Sequence, residues 1–74
     1  MYLHSSTFEY LKPTDEQITR MATLRELSRD YAQQVDRLLP DGPDKTYILR
    51  RVRETAMWIN VAVTREPDGT PRQD

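Results

Sequence analysis

The run Pro40-Asp41-Gly42-Pro43 constrains this chain more than any other feature, because prolines around a turn-forming Asp-Gly cannot continue a helix or a sheet ladder. On either side of it, apolar residues recur at helical spacing. That spacing predicts a first helix from about Thr14 to Leu39 and a second from about Asp44 to Arg65. Thr14-Asp15-Glu16-Gln17, directly after Pro13, has the spacing of a capping box. Pro43 is tolerated at the first turn of the second helix, and Pro67-Asp68-Gly69 closes it. So short a connection predicts an antiparallel helical hairpin. The expected fold is therefore all-α, with an N-terminal segment (1–13), a helical hairpin domain (14–65) and a flexible tail (66–74). The N-terminal segment should hold one short helical turn at Ser6-Thr7-Phe8-Glu9, which again has capping-box spacing.

Turning each residue by about 100° puts Ile48, Leu49, Val52, Ala56, Ile59 and Val63 on one narrow stripe, suited to packing on the first helix. Tyr47, Met57, Trp58, Val61 and Ala62 fall outside it. On the first helix, Met21, Leu24, Leu27, Tyr31, Ala32, Val35, Leu38 and Leu39 spread over roughly half the circumference, wider than the stripe of an ordinary surface helix. One neighbouring helix cannot cover all of this, and Phe8 and Leu11 are too little to finish the task. A domain of 74 residues also buries only a modest share of its surface, and small folds usually need a disulfide, a metal or a partner. No cysteine is present, and His4 is the only histidine, so a disulfide and a zinc site are both disfavoured. A partner chain is what remains, and a homo-oligomer is expected.

Eleven basic residues against twelve acidic ones give a net charge of −1, which is no footprint for duplex nucleic acid. No apolar run reaches membrane-spanning length, and no charged-then-apolar leader follows Met1. Absent cysteines fit a reducing compartment, so a cytoplasmic protein is expected. Glu26 and Asp30 are spaced i, i+4, but Arg20, Arg29 and Arg37 interleave with such carboxylates and point to a solvated charged face. Ser5 and Ser6 neighbour His4 in sequence without forming a nucleophile–base–orienter set. With only Gly42 and Gly69, there is no phosphate-cradling loop. No catalytic apparatus is expected, and the chain reads as a non-enzyme without a cofactor or metal. Tyr2, Tyr10 and Lys12 near the start, Arg25 beside the apolar face, and Asn60, Thr64 and Arg65 at the end of the second helix are groups suited to phosphate and bases.

Tyr10-Leu11-Lys12-Pro13, Arg25, Leu38-Leu39-Pro40, Asp44-Lys45-Thr46 and the run Met57-Trp58-Ile59-Asn60-Val61-Ala62-Val63-Thr64-Arg65 resemble a family of small phage proteins. These are the helical-hairpin sponges that sequester the cyclic nucleotides of bacterial immune signalling, the anti-CBASS protein and its anti-Thoeris relatives. The resemblance covers roughly residues 10 to 65. It implies a homo-hexamer in the cytoplasm of the infected host, with ligand pockets where protomers meet. It further implies that cyclic dinucleotides such as cyclic GMP-AMP and cyclic trinucleotides are bound in separate pockets and not cleaved. Tyr10 resembles the tyrosine that stacks on the dinucleotide base, and Arg25 the basic residue on its phosphates. Arg65 resembles the trinucleotide-binding arginine, with Asn60 and Thr64 as its neighbours. Leu11-Lys12 stands where the family has His-Pro, and Arg25 where lysine is more usual. The rival expectation is a structural or interaction module that binds a host protein. It would leave Arg25 and Arg65 at a wet rim of an apolar interface rather than in shared pockets.

Overall fold

The computed structural model describes residues 3–73. A 3-10 turn at Ser5–Phe8 precedes two long helices, α1 (Asp15–Leu38) and α2 (Pro43–Thr64), which pack side by side as a hairpin. Both helix boundaries fall within one residue of the expected ones. The α1 cap forms as its spacing requires. The Gln17 amide donates to Thr14 Oγ1 (3.2 Å), and the Thr14 amide donates to Gln17 Oε1 (2.9 Å). Gln17 is also buried, and its Nε2 donates to the Val63 carbonyl (3.4 Å), so one side chain caps α1 and ties it to the end of α2. The short turn differs from expectation. Its cap is His4, whose Nδ1 accepts from the Ser6 amide, rather than a Ser6–Glu9 capping box.

The two helices meet along a single seam. Gln17, Met21, Leu24, Ser28, Ala32 and Val35 of α1 are its shielded positions, spaced three or four residues apart. On α2 the shielded positions are the stripe Ile48, Leu49, Val52, Ala56, Ile59 and Val63. Most of them are only half-buried, and Val35, at 9 % exposure, is the one buried apolar residue among those described. The molecule measures 43 × 29 × 15 Å, so it is about one helix layer thick. Its accessible surface is 6116 Å², against roughly 4,800 Å² for a compact monomer of 8.8 kDa. A hairpin this thin has a seam but hardly a core.

The turn between the helices is held electrostatically. Gly42, with φ 154°, leads into α2, and the Lys45 ammonium reaches back to Asp41 Oδ1 (2.8 Å) and Asp36 Oδ1 (3.0 Å). Lys45 is shielded (11 % exposed) although both carboxylates face solvent. Its hydrogen bonds to Asp41 and then Asp36 raise the Lys45 pKa, and the bond from Lys45 lowers that of Asp41. The signs set a window. A lowered carboxylate stabilises above its unfolded pKa and loses that contribution as pH falls through the folded value. A raised ammonium stabilises below its unfolded pKa and loses it as pH rises through the folded value. Lys45→Met should therefore lower the thermal midpoint most between about pH 4 and pH 10, with the gap to the parent narrowing on both sides. Thermal melts of both proteins across pH check this, and a pH-independent gap would show that the ion pairs are not its source.

Residues 66–73, expected as a tail, turn back onto the end of α2. Glu66-Pro67-Asp68-Gly69 is a tight turn closed by the Gly69 amide donating to the Glu66 carbonyl (2.9 Å). Arg65 and Pro71 then pair as an antiparallel bridge. The physical reason is the exposed end of α2, where the helical bonds run out after the Val61 carbonyl. The Arg65 amide donates to Val61 O, Arg72 Nε to Ala62 O (2.7 Å), Gln17 Nε2 to Val63 O, and the Arg72 amide to Thr64 O. The returning segment also brings the Arg72 cation to the negative end of the helix dipole.

Candidate ligand-binding site

The polar groups at the end of α2 lie where the chain's two termini converge. Arg65 is the hub. Its Nη1 donates to the carbonyls of Ser6 (2.8 Å) and Gly69 (2.7 Å), and its Nη2 donates to the carbonyl of Glu9 (2.7 Å). The planar guanidinium fork suits several carbonyls at once, and its charge strengthens each bond. Among the described residues, Nε–H and the second Nη2–H carry no such bond. Thr64 beside it is buried at 7 % exposure, and its hydroxyl donates to the Asn60 carbonyl (3.0 Å) in the preceding turn. The Asn60 side chain is exposed one turn earlier. Thr64 and Arg65, expected as ligand groups, are thus both engaged within the chain.

Tyr10 stands next to this cluster. It follows Glu9 directly, is 87 % exposed, and exposed Phe8 lies two residues before it. Arg25 is exposed on α1, ten residues beyond Asp15 and so about 15 Å along the helix. Among the described residues, no hydrogen bond or ion pair joins Arg25 to Tyr10 within one chain. Tyr2, also expected near this site, lies outside the described residues. Glu26 of the i, i+4 acidic pair is in an ion pair with Arg29, as a solvated charged face requires.

Apolar side chains form two further surfaces. Between the helices runs a groove of about 510 Å³ lined chiefly by Leu24, Leu27, Tyr31, Tyr47, Val52 and Ile59. Arg51 lies over the Tyr47 ring, 5.1 Å from its centroid, with Nε donating to the phenol oxygen (3.0 Å). On the outer side of α2, Met57, Trp58 and Val61 form an apolar patch, with Trp58 63 % exposed. These are three of the five residues that fall outside the α2 stripe in the sequence.

The fold and this arrangement define a two-helix hairpin module with aromatic and guanidinium groups gathered at the converging termini. A family model described as "Acb2/Tad1, hairpin domain" matches residues 4–64, and the chain belongs to that family. The family is that of the anti-CBASS and anti-Thoeris sponges, so the family resemblance is borne out. No curated protein and no solved structure matches the chain. Among the described residues, no helix is long and apolar enough to cross a membrane.

Proposed function

We propose that this chain sequesters cyclic dinucleotides such as cyclic GMP-AMP, and cyclic trinucleotides, without cleaving them. It acts as a homo-oligomer in the cytoplasm of an infected bacterium, where it blocks CBASS signalling. The observation that carries this reading is the family match over residues 4–64, which takes in both Tyr10 and Arg25. Depletion of a signal needs only tight binding and enough protein, because bound ligand is withdrawn by mass action. The unengaged Tyr10 ring is suited to stacking on a base, and the exposed Arg25 to a phosphate. The roughly 15 Å between Arg25 and the start of α1 favours a pocket shared between protomers.

Assembly rests on area. The surface exceeds that of a compact monomer of this mass by on the order of 1,300 Å². A standard interface buries about 800 Å² per partner, so one dimer contact leaves apolar surface over. Two contacts per protomer, one at the groove and one at the Trp58 patch, make a closed ring or larger assembly. A hexamer meets that requirement and agrees with the family resemblance. Asn60, Thr64 and Arg65, repeated around it, are the groups assigned to the trinucleotide.

The test is calorimetric titration with cyclic GMP-AMP, followed by heating and chromatography of the released ligand. The parent should bind and return intact ligand. Tyr10→Ala should lose about 1–3 kcal/mol of stacking, and Arg25→Ala about 1.5–3 kcal/mol of charge-assisted bonding, with the oligomer mass unchanged. Recovery of a hydrolysed product would overturn the sponge reading, and parental affinity in both variants would overturn the site.

A further inference from the structure

We propose that Arg65 is a positioning residue for Tyr10, and that the C-terminal turn is part of the device presenting that ring to ligand. The inference rests on the reading of Tyr10 as the stacking group. It starts from the three carbonyls that Arg65 grips, two on the N-terminal segment (Ser6 and Glu9) and one on the C-terminal turn (Gly69). The Glu9 carbonyl belongs to the same planar peptide unit as the Tyr10 amide, so holding that oxygen places the Tyr10 Cα and narrows the directions from which its side chain can start. Tyr10 itself makes no hydrogen bond among the described residues that could do this instead.

The two segments are fitted to each other, which makes the contact more than a stray surface arginine. The His4 amide donates to the Asp68 carbonyl (2.7 Å). Gly69 is buried with φ +95°, and a Cβ there would lie 1.7 Å from Thr7 Oγ1. Only glycine permits both the backbone angle and the approach. Residues 65–72 follow the stretch matched by the family model. A ring ordered before ligand arrives avoids the entropy cost of ordering it on binding, and that is how the clasp contributes to affinity.

Two variants test this. Gly69→Val drives a side chain into Thr7, and Arg65→Lys keeps the charge but cannot fork onto three carbonyls. Circular dichroism and solution mass establish that helices and assembly persist in at least one of them. Without ligand, amide exchange at His4, Thr7 and Glu9 should quicken by about tenfold or more as the clasp opens, and unchanged exchange overturns the clasp. With cyclic GMP-AMP, each variant should lose about three- to tenfold in affinity. In a Tyr10→Ala background the same substitutions should cost less than about twofold, because the ring they position is gone. Equal losses in both backgrounds would mean direct ligand contact or general destabilisation, and would overturn the positioning role. A parent that fails to bind cyclic GMP-AMP defeats the proposed function instead, while the exchange measurement still decides whether the clasp exists.

Discussion

Trp58→Asp is expected to break the assembly and, with it, most of the chain's stability. In one chain Trp58 is 63 % exposed, on the outer side of α2 beside Met57 and Val61. If the hairpin functioned alone, an aspartate there would meet water and cost a few tenths of a kcal/mol. In the proposed oligomer, the same carboxylate is placed in an apolar interface without a partner. It forfeits the ring's buried area and must be desolvated, a loss of at least about 2 kcal/mol at each copy. A one-layer hairpin whose one buried apolar residue is Val35 has little with which to absorb that loss. Light scattering should show the variant at monomer mass, and its helical signal should fall at micromolar concentration. A parent already monomeric and fully helical at that concentration would refute obligate assembly. Leu27→Asp in the groove serves as the parallel test of the second contact.

The elements legible in the sequence were those set by local signals. Thr14 and Gln17 stand three residues apart, so both halves of the α1 cap are written in four residues. The α2 stripe from Ile48 to Val63 likewise follows from period alone. What escaped was long-range. Arg65 and the Ser6 carbonyl are separated by 59 positions, and nothing at either one announces the other. In sequence Pro67-Asp68-Gly69 marks the stop of a helix, because a helix end and a tight turn use the same residues. Arg72 signals the returning segment only through the carbonyls that the end of α2 leaves unmet. Gln17 was visible as a cap residue but not as the donor to Val63. The candidate site divides in the same way. Tyr10 and Arg25 follow from the resemblance and lie exposed, whereas the intrachain engagement of Thr64 and Arg65 is invisible to motif and period alike.

That engagement changes the expected outcome at Arg65. From the sequence and its resemblance, Arg65→Ala should abolish trinucleotide binding and spare cyclic GMP-AMP. The first half stands as a prediction. Nε–H and one Nη2–H carry no hydrogen bond to the described residues and can donate to a phosphate oxygen, each charge-assisted bond contributing about 1.5–3 kcal/mol. In the proposed oligomer, symmetry repeats the arginine around one trinucleotide, so a single substitution removes several such bonds. Affinity for the trinucleotide should fall by at least about a hundredfold. The positioning role proposed for Arg65 changes the second half, because the same guanidinium holds the Glu9 carbonyl next to Tyr10. Cyclic GMP-AMP affinity should fall too, but only by the positioning share, about three- to tenfold. Titrating one ligand into protein saturated with the other separates the cases. Unchanged affinity under pre-saturation, together with a trinucleotide loss at least about ten times the dinucleotide loss in Arg65→Ala, supports two sites sharing one structural hub. Mutual exclusion, or equal loss of both ligands, means a single pocket and defeats the assignment of Arg65 to the trinucleotide.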